Sequence, residues 1–156
     1  KDLNNRKTIF DILPNKFPRV ISVGRLDFMS EGLLLLTNNG DFSRKLEIPS
    51  SNILRVYRLC IKGSVKSYMT RKINSGISIN GIHYKKITAQ IEKFQDPYTW
   101  LIFKLKEGKN REIRNICKFY KWNVVKLIRI QYGTIKLLKL KSGEIREVKN
   151  FSIKLC

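Results

Sequence analysis

Acidic residues are scarce in this chain. Twelve Asp and Glu face 32 Lys and Arg, for a formal net charge of +20 and a pI near 10.2. Such a charge favours a polyanion and steers association with one. The competing explanation is a bias toward Lys, Ile and Asn, which raises charge without selecting a ligand, and charge alone does not separate RNA from DNA. Cysteine is sparse too. Cys60, Cys117 and Cys156 are widely spaced with no C-x-x-C, which argues against a zinc site and a disulfide framework. Cys117 falls on an apolar helix face and reads as core. The single histidine, His83, lies near a turn expected at Asn80-Gly81 and reads as a solvated loop residue more readily than a catalytic one. There is no Walker-type glycine loop and no G-x-G-x-x-G. No cofactor or metal is therefore expected, and any chemistry falls to Asp, Tyr, Arg and Lys acting directly. No run of about 18 apolar residues exists, so no transmembrane helix is expected. No signal-peptide pattern opens the sequence, and the expected location is the cytoplasm.

What remains reads as α+β. The 156 residues suit one domain, or two small lobes sharing a core, burying roughly 68–70% of the unfolded surface. Residues 8–13 are a short apolar stretch ending at Pro14. Residues 33–37 predict a buried strand stopped by Asn38-Asn39-Gly40. Asp41 is placed to cap a short helix through Leu46. Residues 56–61 predict a strand closed by Gly63. Ser64 is placed to cap a helix over 65–73, ended by Gly76. Asn80-Gly81 predicts a hairpin turn within 77–82. Residues 87–94 and 100–105 alternate like half-buried strands around Asp96-Pro97. Residues 124–130 predict a further strand before Tyr132-Gly133, and the tail alternates strand-like residues with Ser142-Gly143. No repeat, low-complexity block or Pro-rich linker interrupts the chain. The expected fold is a mixed, mostly antiparallel sheet with flanking short helices.

Three segments carry chemistry. In Gly24-Arg25-Leu26-Asp27, followed by Ser30-Glu31-Gly32-Leu33-Leu34-Leu35-Leu36-Thr37, a carboxylate stands beside an arginine ahead of an apolar run. The leucines are most simply core, able to hold the preceding residues rigid, and an ordinary reading of Asp27 is a surface ion pair. In Glu107-Gly108-Lys109-Asn110-Arg111-Glu112-Ile113-Arg114 and the residues after it, Asn110 is a plausible N-cap. At about 100° per residue, Ile113, Ile116, Cys117 and Tyr120 share one face, and Arg111, Arg114, Lys118 and Lys121 the other. That basic stripe is either a solvated face or a phosphate track, and no acid interrupts it. In Arg55-Val56-Tyr57 a tyrosine sits on a strand, where a core aromatic is the commoner meaning.

Together these segments resemble the pseudouridine synthases of the ribosomal small-subunit and large-subunit branch (the RsuA/RluB-like family). The first is similar to the active-site motif G-R-L-D-x-x-[ST]-x-G-L-L-L-L-T-N, the second to E-G-[KR]-N-R-[QE]-[IV]-R, and the third to K-x-Y with Arg in place of Lys. The resemblance implies the pseudouridine synthase fold, Asp27 as nucleophile, Arg114 as the basic residue that contacts it, and Tyr57 against the target base. Glu112 stands where many members have Gln. With the segment Lys126-Leu127-Ile128-Arg129-Ile130-Gln131-Tyr132-Gly133, it favours the large-subunit branch, hence 23S over 16S RNA. Two features of the family are missing ahead of Lys1, the opening K-P-x-G strand and the small S4-type RNA-binding domain. The expectation is a catalytic domain over residues 1–156, either a fragment or a minimal form.

The implied reaction breaks the N1–C1′ bond of a uridine and joins C1′ to C5, with no redox change and no net hydrolysis. A carboxylate nucleophile splits this exchange into two easier steps, and a nearby guanidinium favours its charged form. Tyr57 can stack on the base and remove a proton. The uridine must leave its stack, at a few kcal/mol, and the resemblance points to Arg25 as the residue filling the vacated space. The expected RNA-binding set is Arg25, Arg55, Lys109, Arg111, Lys118 and Lys121. The expected partner is ribosomal RNA or an assembling ribosomal particle, met by a monomer with no membrane involved. The alternative is a non-catalytic, ribosome-associated RNA-binding protein that retains the synthase fold, which the intact Asp27, Tyr57 and Arg114 disfavour. A DNA-binding module is poorer still, since no helix-turn-helix, zinc or RRM signature appears.

Overall fold

Four long strands build the frame, and one of them alternates cleanly. In the computed structural model, which describes residues 6–148, strand Tyr98–Leu105 buries Thr99, Leu101, Phe103 and Leu105 and leaves the residues between them more open. That is the period of two which a one-sided sheet demands. In chain order the strands are β1 (Ile21–Val23), β2 (Glu31–Gly32), β3 (Leu35–Thr37), β4 (Arg55–Lys62), β5 (Ile77–Ile79), β6 (Ile82–Tyr84), β7 (Thr88–Gln95), β8 (Tyr98–Leu105), β9 (Asn123–Tyr132) and β10 (Ile135–Lys136). Three helices, α1 (Gly40–Glu47), α2 (Ser67–Asn74) and α3 (Glu112–Phe119), lie between them, with 3-10 turns at Ile9–Ile12 and Pro49–Ser51. The architecture is α+β and mostly antiparallel.

The main sheet runs β10-β9-β4-β8-β7, and β2 adds to β9 in parallel. β1 and β3 form a separate antiparallel pair, as do β5 and β6. The β5–β6 turn is at Asn80-Gly81, where φ of 50° and 77° supply the left-handed pair that a tight hairpin requires. Two apolar clusters form. The larger gathers Leu59, Ile61, Ile73, Leu101, Phe103, Ile116 and Cys117 under α2 and α3. The smaller gathers Val23, Leu33, Leu35, Leu46, Ile53 and Tyr132 around α1. Full burial of such side chains contributes about 1.5–3 kcal/mol each.

The helix starts depart from expectation. Asn39, not Asp41, caps α1: its side chain accepts from the Phe42 amide at 2.9 Å, and Asp41 lies in the first turn, where the helix dipole favours an acid. Ser64 caps nothing, because α2 begins at Ser67. Gly63 is tied to the β7–β8 turn, with its amide donating to the Pro97 carbonyl at 2.6 Å and its carbonyl accepting from Thr99 Oγ1, so the chain beyond it stays extended. Asn110 is not the cap of α3 either. Arg111 occupies that position in the left-handed region, at φ 50°. The expected strand 33–37 is shorter, since only Leu35–Thr37 pairs with β1, and Leu33 instead donates its amide to the Arg129 carbonyl. Cys156 lies outside the described residues.

Candidate active site

Gly24, at φ +68°, turns the chain out of β1 and begins the segment that carries Asp27. The segment closes on itself where the Ser30 amide donates to the Asp27 carbonyl at 2.8 Å. It then returns to the sheet through Gly32, whose φ is +102° and whose imagined Cβ falls 2.4 Å from the Arg129 carbonyl oxygen. Only glycine permits both that conformation and that approach. Leu33 and Leu35 anchor the continuing chain in the smaller core.

Helix α3 faces this segment. Arg114 Nε lies 3.3 Å from Asp27 Oδ2, with the arginine side chain 16% exposed and the aspartate 30%. The Nε–H is not aligned for a hydrogen bond, so the contact is an ion pair. The directed bonds come from Nη2, which donates to the Met29 carbonyl at 2.6 Å and to Ser30 Oγ at 3.2 Å. The arginine therefore grips both the acid and the turn that presents it. Tyr57 enters from β4 opposite Phe103 of β8 and Arg129 of β9. Asp27, Tyr57 and Arg114 line one cavity of about 350 Å³.

Arg25, Lys109 and Arg111 also line the cavity. Arg25 is exposed at the mouth. Lys109 is partly occupied by protein, with Nζ donating to the His83 carbonyl and pairing with Glu107 at 3.2 Å. Arg55 is only 7% exposed and forms part of the wall. Its Nη1 donates to the Ile53, Lys106 and Glu107 carbonyls, and its Nη2 to the Leu46 carbonyl and Tyr132 Oη. Both terminal nitrogens thus serve protein acceptors, which places Arg55 as an internal brace. Lys118 and Lys121 do not reach the cavity. They line an adjoining shallow groove together with Arg111 and Arg114. His83 is exposed on β6 rather than in a loop, with Nδ1 3.0 Å from Ser78 Oγ.

Three residues of the cavity wall escaped the sequence reading as parts of a site. Glu112 is 3% exposed. Its Oε2 accepts the amides of Gly108 at 3.2 Å and Lys109 at 3.0 Å, closing the loop ahead of α3, while Oε1 is buried without a partner. Burial pushes its carboxyl up to about 7, the Lys109 amide opposing and the charge of Glu107 adding to the shift. Tyr132, on β9, donates from Oη to the Leu46 carbonyl at 3.0 Å. Arg129 is 2% exposed. The signal that could have found it is its register in β9, since the inward positions Leu127 and Arg129 alternate with half-buried isoleucines. Cys117, read as core, is buried, and its thiol is pushed up to about 12 by burial. Nine charged side chains line the cavity, three acidic (Asp27, Glu47, Glu112) and six basic, which suits an anionic substrate.

The chain is similar to known proteins over most of its length. The family model described as RNA pseudouridylate synthase matches residues 1–119. A Rickettsia typhi protein named as an uncharacterised RNA pseudouridine synthase is 43% identical over 154 residues, covering 99% of this chain and 63% of that protein. The ribosomal large subunit pseudouridine synthase B of Buchnera aphidicola subsp. Schizaphis graminum is 40% identical over 147 residues, covering 92% of this chain and 57% of that protein. The chain thus spans less than two thirds of the length of these relatives. A solved structure of a pseudouridylate synthase superposes with a TM-score of 0.81 at 24% identity, over 91% of this chain and 62% of that one, a likeness of fold. With a family model matched over most of its length and relatives at 40% and 43% identity, the chain belongs to the RNA pseudouridylate synthase family.

Proposed function

We propose that this chain isomerises a uridine of large-subunit ribosomal RNA to pseudouridine, with Asp27 as the nucleophile. The observation that carries the reading is the Asp27–Arg114 ion pair in a cavity shared with Tyr57 and rich in cations. The relatives named for the large ribosomal subunit support the choice of RNA. Asp27 attacks C1′ and displaces N1, and its ester bond to C1′ breaks again when C5 attacks that carbon. The freed base turns within the cavity, C5 takes the bond to C1′, and the C5 proton leaves while N1 gains one. Tyr57 supports the base by stacking and serves as the proton acceptor. Arg114 stabilises the carboxylate when it is ionised and again when it is released. Arg25, exposed at the mouth, enters the space the flipped nucleotide leaves.

The test is Asp27→Asn, assayed by mapping pseudouridine in ribosomal RNA after incubation with wild type and variant. Wild type is expected to form pseudouridine at a defined position, and the variant to form none while its RNA affinity stays within about twofold, since the change removes only the nucleophilic charge. A variant that isomerises uridine near the wild-type rate rejects Asp27. A wild type that binds the RNA and leaves every uridine intact makes the chain a binding protein instead.

A further inference from the structure

The Asp27 segment joins the sheet at β2, where Glu31 and Gly32 pair with Ile128 and Arg129 of β9, and Arg129 adds side-chain bonds to both of its ends. Arg129 of β9 binds the segment's far end through main and side chain together. Its carbonyl accepts the Leu33 amide at 2.8 Å, and its Nε donates to the Leu33 carbonyl at 2.7 Å. Its Nη1 reaches back to the near end, donating to the Arg25 carbonyl at 3.4 Å. Gly32 and Arg129 are register partners in the parallel β2–β9 bridge. One guanidinium thus closes both ends of residues 25–33, which hold Asp27 and the Met29 and Ser30 acceptors of Arg114.

The cost of this arrangement shows that it is specific. A guanidinium 2% exposed loses its hydration. Among the described residues it has no carboxylate within ion-pair distance, and Nη2 is buried with no partner. Its charge is answered by two carbonyls and by the Tyr132 ring, whose centroid lies 5.1 Å from Cζ. A strand needing only an inward side chain would carry an aliphatic one, as at Leu127. A buried cation without a counter-charge is expensive, and it is directed at the two carbonyls that bracket the nucleophile.

We infer that Arg129 is a positioning residue for the isomerisation, acting on Asp27 through the backbone of residues 25–33 and not on the RNA. The inference rests on the proposed reaction for its kinetic arm only. A nucleophile displaced by about 1 Å loses on the order of a hundredfold in rate. Arg114 alone cannot fix the segment, because its acceptors lie between the two fastened ends.

Amide hydrogen exchange combined with kinetics tests this. In wild type the Leu33 amide should be as protected as those of β4 and β8. In Arg129→Lys, which keeps charge but cannot reach both carbonyls, exchange over residues 25–33 should rise by about tenfold or more while β4 and β8 stay protected, as for an opening confined to one segment. The turnover number on ribosomal RNA should fall about a hundredfold with KM and RNA affinity within about threefold. Gly32→Ala, which drives the segment off β9 without touching the guanidinium, should give the same local exchange. Uniformly raised exchange in both variants, an unprotected wild-type Leu33, or weakened RNA affinity with unchanged turnover would each overturn the inference. Because exchange needs no substrate, a wild type lacking synthase activity rejects the proposed reaction and leaves the clamp open to test.

Discussion

At the scale of single residues, the cavity is shaped by charges that do not meet their partners in the ordinary way. Glu112 is the sharpest case. Its carboxyl is raised from 4.5 to about 7 by burial, so the folded state holds a proton that the unfolded state has released. Between those two values the native state binds more protons, and stability falls as pH rises through the interval. Glu112→Gln keeps the acceptor for the Gly108 and Lys109 amides and supplies a donor at the orphaned oxygen position. The variant should match wild type in urea unfolding near pH 4.5 and exceed it above pH 7 by about 1–3 kcal/mol, on the scale of 1.36 kcal/mol per pKa unit. Equal midpoints at both pH values would mean that the carboxylate is not desolvated. Arg114 gives the complementary case. Arg114→Met removes the ion pair and both bonds to the turn, and kcat should fall about a hundredfold or more, with RNA affinity changed far less. Single-turnover rates beside a binding isotherm separate the two.

At the scale of elements, the sequence is most transparent where a local rule governs. Strands β7 and β8 are legible from alternation and the β5–β6 turn from Asn80-Gly81, while β4 and β9 are legible as apolar runs bounded by glycine. The helix starts are less so: Ser64 is a sound cap by composition, but Gly63 is held by Pro97 and Thr99, partners more than 30 residues away. The meeting of Asp27, Tyr57 and Arg114 in one cavity is legible only as a resemblance of motifs, since nothing local predicts that α3 faces the turn after β1. Glu112 and Arg129 went unread as parts of the site because their acceptors and donors are backbone groups, and only the inward register of Arg129 in β9 hints at its place. Of the expected stripe only Arg114 and Lys118 lie on helix α3, because Arg111 is its left-handed N-cap and Lys121 follows its C-cap Tyr120 at φ 55°. Lys118 and Lys121 are exposed beside the cavity, where a phosphate chain leaving the site would run. If it does, replacing both with Gln should flatten the slope of log affinity against log salt by about 1.5, at roughly 0.7–0.9 per lost contact, and leave the modified uridine unchanged, because phosphate contacts position without selecting. An unchanged slope would make the stripe a solvated face.

At the scale of the whole molecule, the excess of positive charge sets function against stability. The described residues contain three ion pairs, Arg58–Glu92, Lys109–Glu107 and Arg114–Asp27, against a net charge of +20. Exposed pairs contribute little, about 0–1 kcal/mol each, and salt weakens them. The unpaired cations repel one another at every separation within a Debye length, which shrinks from about 30 Å at 0.01 M to about 3 Å at 1 M. Repulsion in so strongly cationic a chain should outweigh the attraction within such pairs, so screening should stabilise the free protein. A gain of about 1 kcal/mol would raise Tm by about 2–4 °C for a domain of this size. If the chain binds RNA as proposed, the same salt must weaken that binding, because counterion release supplies part of the affinity. The two responses should therefore run in opposite directions: in a thermal melt series from low to high sodium chloride, Tm rises for the protein alone, while the extra stabilisation conferred by added RNA shrinks as its affinity falls. A Tm that drops with salt in the free protein would show that attraction, not repulsion, dominates its surface. The cationic excess would then be a structural feature of the fold and not a standing cost relieved by binding RNA.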